Sequence, residues 1–118
     1  MVTKETFLHE EEIKRVLLRC GIYPSKKGFT YLVASISYFR EEGLGICSIY
    51  EKVAQTYNVK ASNVERCIRS CLVESTLRGN IIKLNHLFGM DIISEGDYVS
   101  NGDFVGIVGT YLDFLCKS

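Results

Sequence analysis

Hydrogen-bonding side chains gather on one side of a predicted helix in the middle of the chain. When residues are placed at intervals of about 100°, one face of this helix carries Asn63, Glu65, Arg66, Arg69 and Ser70. Arginine pairs well with guanine edges, glutamate with cytosine and asparagine with adenine. These residue types at this spacing could therefore read base edges in the groove of a duplex.

The opposite face of this helix is apolar, and the residues before it predict a shorter helix and a tight turn. The apolar face carries Val64, Cys67, Ile68, Cys71 and Leu72. Ser62 is a good N-cap, and Glu65 three residues later completes a capping box. Ala61 is small enough to let two helices approach closely. The stretch 53–69 therefore predicts a helix-turn-helix, a motif that places its second helix in the major groove of DNA.

Apolar spacing predicts helices around this motif as well. The predicted ranges are 6–20, 27–42, 48–57, 62–78 and 81–88. The residues expected to face the core in the first three are Leu8, Ile13, Val16, Leu17, Cys20, Phe29, Leu32, Val33, Ile36, Phe39, Ile49, Val53 and Tyr57, with Tyr31 and Tyr38 as further aromatic core. Gly21 and Gly79-Asn80 supply helix stops.

The last third of the chain permits two interpretations. Segments 91–93 and 97–99 could be strands, and 100–103 could be a hairpin turn. Against this, the apolar residues of the final segment recur at the i, i+3, i+4 spacing of a helix: Phe104, Ile107, Val108, Tyr111, Leu112 and Leu115. Two glycines within that stretch each cost a helix about 1 kcal/mol relative to alanine. Periodicity therefore favours a final helix only slightly.

Length and composition predict one domain, residues 1–118, with one modest core. No apolar run approaches the roughly 18 residues that span a membrane, and the N-terminus is not an apolar signal segment. We therefore expect a cytoplasmic protein. Net charge is zero, which counts mildly against nucleic-acid binding. The charge is unevenly distributed, however: residues 52–83 hold six basic and two acidic side chains, and residues 91–118 hold one basic and five acidic.

Five cysteines, an odd number, argue against a disulfide framework. Cys20, Cys67, Cys71 and Cys116 occupy apolar positions of helical patterns, and Cys47 lies in an apolar stretch, where free cysteine behaves as a small hydrophobe. Zinc binding by Cys67 and Cys71 is the alternative. His9 and His86 are the only imidazoles, and neither forms a spaced pair with another ligand. We expect reduced cysteines and no metal.

Catalytic patterns are missing from the sequence. It contains no phosphate-binding loop, and Gly102, Gly106 and Gly109 do not have dinucleotide-binding spacing. His9 stands beside three glutamates, Glu10 to Glu12, on a helix expected to be solvated, and His86 is expected at the surface or a helix end. No nucleophile and base can be paired. We expect no enzyme activity, no cofactor and no small-molecule substrate.

Residues spread over positions 8 to 115 resemble a known family, the C-terminal effector domain of stage 0 sporulation protein A. The resemblance rests on Gly21, Lys27-Gly28, Tyr31-Leu32, Leu44-Gly45, Ile49-Tyr50, Val53-Ala54, Asn58, Ala61-Ser62, Val64-Glu65-Arg66, Ile68-Arg69, Arg78-Gly79-Asn80, Leu87-Phe88-Gly89 and Phe104. It implies an all-α domain of about six helices, including a final helix. It also implies binding to double-stranded DNA, commonly by two copies in tandem.

The resemblance assigns roles to residues by their positions in this chain. Glu65, Arg66 and Arg69 are expected to contact base edges. Ser62 and Lys60, at the positive end of the helix, are expected to approach phosphate. Arg78 is expected to contact the DNA backbone at the far end.

Three departures from the family bear on this interpretation. The family usually has arginine at the position of Asn63 and often histidine at the position of Ser70, so the target sequence is expected to differ. In the family this domain follows a phosphorylated receiver domain, which this sequence does not contain. The chain is therefore either an excised effector domain or a free-standing relative.

Two other functions stay open. Zero net charge and Asn63 favour a protein-interaction module that keeps the fold, has lost DNA binding and pairs with a full-length relative. A thiol-dependent redox sensor would use Cys67 and Cys71, but buried thiols are normally inert.

Overall fold

Six helices make up the part of the chain that the structure describes. The computed structural model describes residues 4–117, with side chains for residues 10–115. The helices are α1 (Lys4–Arg19), α2 (Lys27–Glu42), α3 (Ile46–Tyr57), α4 (Ala61–Leu77), α5 (Lys83–Phe88) and α6 (Asn101–Lys117). The all-α prediction is confirmed, and the predicted bounds of α2 agree with the structure. The side chains of Leu8, His9 and Cys116, for which the sequence carried expectations, lie outside the described residues.

Helix α2 lies at the centre of the fold, in contact with α1, α3, α4 and α6. Its apolar positions Leu32 and Ile36 are fully buried, as the helical spacing predicts. Two glycines allow neighbouring helices to approach closely. A β-carbon on Gly28 would lie 2.5 Å from the Cys67 carbonyl oxygen of α4, and one on Gly109 of α6 would lie 2.4 Å from a Phe39 ring carbon.

Helices α3 and α4 form the predicted helix-turn-helix. Asn58 ends α3 in the left-handed conformation, with φ of 54°. The Val59 main-chain N–H then donates to the Ala54 carbonyl at 3.0 Å. The chain needs only residues 58–60 to pass from one helix to the next, and Val59 packs against the core.

Two local predictions near this motif are wrong. Ser62 is not the N-cap of α4, because Lys60 has the extended backbone (φ −81°, ψ 146°) and its carbonyl accepts the first bonds, from the N–H groups of Asn63 and Val64. No side chain caps α4, so the capping box of Ser62 and Glu65 does not form. Tyr57, predicted to face the core, is 42% exposed because its ring lies at the rim of the core against Tyr31.

The segment between α5 and α6 contains no strand among the described residues, so residues 91–99 do not form the hairpin that alternation permitted. The Asn85 side chain organises this loop: its Oδ1 accepts from the N–H groups of Ile92 and Ile93, each at 2.8 Å, and its Nδ2 donates to the Ile93 carbonyl. Ser100 precedes α6 and caps its first turn, since its Oγ accepts from the Asp103 N–H at 3.1 Å. Within the described residues, no helix combines the length and the hydropathy needed to cross a membrane.

Candidate nucleic-acid interface

Helix α4 divides into a buried face and an exposed face along the line that the sequence predicts. Val64, Ile68 and Leu72 are fully buried, Cys71 is buried, and Cys67 is partly buried. The predicted DNA-contacting side chains lie on or beside the other face: Lys60, Ser62, Arg66, Arg69, Ser70 and Arg78 are exposed, and Asn63 and Glu65 are partly exposed. Because one face of the helix is buried, the polar set faces solvent together.

The exposed side chains of α4 contact one another. Arg69 Nη2 lies 2.5 Å from Glu65 Oε1, and Arg66 Nη2 donates to Asn63 Oδ1 at 3.0 Å. Arg78, just beyond the end of α4, pairs with Glu74 at 2.9 Å. Each partner is three or four residues away along the helix, the spacing that brings side chains together on one face. The exposed face of α4 thus carries hydrogen-bond donors and acceptors that pair with one another in the free protein.

One flank of this face carries two lysines that the sequence did not predict as DNA contacts. Lys26 is the N-cap of α2 and Lys27 is its first residue, and both are exposed. The close approach of Gly28 to Cys67 and Cys71 sets them beside the middle of α4. Neither lysine forms an ion pair with any residue that the structure describes. No local pattern marks them, because their proximity to α4 arises only from the packing of α2.

The other flank holds a buried polar side chain, which the sequence analysis also missed. Asn101, the first residue of α6, is 6% exposed. Its Nδ2 donates to the Tyr50 hydroxyl of α3 at 2.9 Å and to the Glu65 carbonyl of α4 at 3.1 Å. Burial raises the pKa of Tyr50, and the hydrogen bond from Asn101 acts in the opposite direction. Three helices therefore meet at one amide.

The cysteines of the described region are free thiols. Cys20 is fully buried, and burial raises its pKa from 9.0 to about 12; burial also raises the pKa of Cys71. Cys47, expected in apolar surroundings, is instead exposed in the first turn of α3. Among the described side chains, no three histidine, cysteine or acidic groups are placed to hold a metal ion. His86 is exposed in the last turn of α5, as expected.

Most of the chain matches the model of a known protein family. The family model described as "Sporulation initiation factor Spo0A C terminal" matches residues 13–112, which covers all of α2 to α5, most of α6 and the last seven residues of α1. A match over this much of the chain shows membership, so the protein belongs to that family of DNA-binding transcription regulator domains.

Proposed function

We propose that this member of the Spo0A C-terminal family reads DNA sequence through the exposed face of α4, inserted into the major groove. The observation that carries the proposal is that α4 has one buried apolar face and one exposed polar face. Ile68 and its apolar neighbours are buried, and the hydrogen-bonding side chains are turned outward, next to the short turn of a helix-turn-helix. That is the geometry in which such a motif presents its second helix to base edges.

In this proposal Glu65, Arg66 and Arg69 contact base edges. Asn63 adds a group suited to adenine, and Ser70 lies within reach of the same groove. The internal pairs do not prevent this. An exposed pair four residues apart contributes about 0.3–0.5 kcal/mol, whereas a good bidentate base contact contributes about 1–3 kcal/mol of discrimination. Exchange of the Glu65–Arg69 pair for contacts with DNA is therefore favourable on the correct sequence.

Phosphate contacts are proposed around this centre. Lys60 and Ser62 lie at the start of α4, where unpaired main-chain N–H groups favour anions. Arg78 would reach the backbone beyond the other end of the helix. Lys26 and Lys27 extend the basic flank along α2. These residues would set affinity and register, and the side chains at the centre of α4 would set specificity.

We further propose that residues 1–118 act as a single DNA-binding domain, with a second copy bound in tandem on the same duplex. No cofactor takes part in this mechanism, and the protein performs no catalysis in it. Arginine and lysine side chains supply the positive charge, and the duplex supplies the only ligand.

Affinity measured against salt tests the proposal. Duplexes would first be selected by the purified protein from a random library, and the best would then be compared with a scrambled duplex of equal composition. We expect preference for the selected duplex, and an affinity that falls with salt at a log–log slope of about −0.9 per phosphate contacted. Equal binding to both duplexes would contradict sequence reading.

A second candidate, a protein-interaction module, is favoured by an apolar groove between the α5–α6 loop and α6. Its lining includes Met90, Ile92, Phe114 and Leu115, and the Phe114 side chain is 74% exposed. Exposed apolar surface of this kind often marks a contact with another protein. Absence of any binding to duplex DNA at low salt, from a folded sample, would favour this candidate.

A further inference from the structure

We propose that Asn101 is a positioning residue that fixes α4 relative to α3 and thereby sets the sequence selectivity of DNA binding. The inference rests on the proposed function, because it concerns how the reading face is held. Asn101 is 6% exposed and does not lie on that face, so it acts through α4 and not by touching DNA.

The first observation is the pair of bonds that one amide makes. The Nδ2 atom of Asn101 donates to the hydroxyl of Tyr50 and to the main-chain carbonyl of Glu65. Tyr50 lies in the first half of α3, and Glu65 is the fifth residue of α4. The bond to a main-chain atom constrains the helix itself, including its rotation and depth at this point. The direction in which Arg66 and Arg69 project depends on that rotation.

The second observation is the rigidity of the support for Asn101. Ser100 accepts a hydrogen bond from the Asp103 N–H, which holds the first turn of α6 in place. Phe104, in the same turn, is fully buried. Gly102 lies next to Ile46, the first residue of α3, where an added β-carbon would be 3.6 Å from that side chain. The amide is therefore presented from a fixed base that also contacts α3.

The third observation is that burial of the Asn101 amide carries an energetic cost. Asn101 Oδ1 is buried and has no hydrogen-bond partner among the described residues. An unsatisfied buried acceptor is unfavourable, and native structures contain few of them. The amide is thus a poor choice if its only role were to fill space. Its value lies in the two directed bonds from Nδ2, of the kind that hold binding side chains within about 0.5 Å and 10–20° of a productive geometry.

The inference is tested by removing the two hydrogen bonds of Asn101 and measuring the sequence selectivity of DNA binding. Asn101→Ala would be compared with wild type for binding to the selected duplex and to its scrambled counterpart, well below the unfolding temperature of the variant. We expect the ratio of the two affinities to fall by about tenfold, the scale of one to two lost hydrogen bonds, with the scrambled duplex bound nearly as before. Tyr50→Phe removes one acceptor and leaves the bond to Glu65, so we expect a smaller fall in the same ratio.

Asn85→Ala is the matched control, because Asn85 is also an amide with several bonds but organises only the loop after α5. It should lower stability without changing the affinity ratio. If Asn101→Ala is folded and its ratio equals that of wild type, or if Asn85→Ala lowers the ratio equally, positioning by Asn101 is wrong. If Asn101→Ala does not fold, Tyr50→Phe decides by the same ratio. If wild type itself prefers neither duplex, the proposed function fails and this inference fails with it.

Discussion

Arg69 Nη2 lies 2.5 Å from Glu65 Oε1, so two residues proposed to read bases are paired with each other in the free protein. The Arg69 side chain is 52% exposed and that of Glu65 is 32% exposed, and solvent screens a pair of this kind. The pair therefore holds both side chains on one face of α4. Because the pair is weak, little free energy is needed to break it when DNA binds. A correct duplex has to compete only with a weak internal contact.

Truncation of Arg69 and truncation of Lys60 should impair DNA binding in different ways. Arg69→Ala should cost about 1–3 kcal/mol on the preferred duplex and relax discrimination at one base position, because a bidentate base contact is lost. Lys60→Ala should weaken all duplexes alike and reduce the salt slope by about one unit. Fluorescence anisotropy titrations over a set of single-base variants measure both effects, with folding checked by circular dichroism. An equal loss on specific and scrambled duplexes for Arg69→Ala would mean that the reading face is wrongly assigned.

Lys26 and Lys27 should contribute affinity without specificity. The double variant Lys26→Gln with Lys27→Gln should bind every duplex more weakly and reduce the salt slope by about two units, since each lysine neutralises one phosphate. Lys83→Gln is the control, because Lys83 is an exposed lysine on α5, outside the proposed interface, and its slope should equal that of wild type. Both variants and wild type would be titrated over the same range of salt. Equal slopes in the double variant and in wild type would remove α2 from the interface.

Ile68 should be a main contributor to stability. It is fully buried on the inner face of α4, so Ile68→Ala should lower the free energy of unfolding by about 2–5 kcal/mol. Leu77→Ala is the comparison, because Leu77 belongs to the same helix and is 82% exposed; its effect should stay within about 0.5 kcal/mol. Urea unfolding of both variants gives the two values, and similar values would contradict the assigned core.

The sequence predicts most of this fold because each helix carries its own apolar face. The buried positions of α4 follow from period alone, and so do the bounds of α2. The N-cap was wrongly predicted because Ser62 has the preferred residue type, whereas the backbone turn occurs at Lys60, which has no capping side chain. The flanks of the interface could not be predicted. Asn101 reaches α4 only after α6 has packed against α2, and no pattern near residue 101 indicates that contact.

The two glycines inside α6 should respond in opposite directions to alanine. A β-carbon on Gly106 would meet no atom within 4 Å, so Gly106→Ala should raise stability by about 0.5–1 kcal/mol through helix propensity. A β-carbon on Gly109 would lie 2.4 Å from the Phe39 ring, so Gly109→Ala should lower stability by about 1–3 kcal/mol. Thermal unfolding of the two single variants tests the contrast. Stabilisation of both would contradict the close contact of α2 and α6.

Stability should fall in alkaline solution partly because of Cys20. Its pKa is about 12 in the folded protein against 9.0 for an ordinary thiol, so above pH 9 the unfolded chain loses a proton that the folded chain keeps. The folded state is then disfavoured by about 1.4 kcal/mol per pH unit for this group until its own pKa is reached. Urea unfolding at pH 8 to 10.5 should show a shallower decline for Cys20→Ala than for wild type. Parallel curves would contradict this.

The ion pair between Arg40 of α2 and Asp113 of α6, with Nε and Oδ1 2.8 Å apart, joins residues 73 positions apart. Near it, Gly109 approaches Phe39, so the sixth helix packs closely along the central helix. During synthesis α2, α3 and α4 leave the ribosome before that cover exists. The apolar surface of α2 that α6 covers thus stays in water until α6 has emerged. Competence to bind DNA should therefore appear late in translation, and ribosome-bound chains that stop before residue 101 should depend on chaperones.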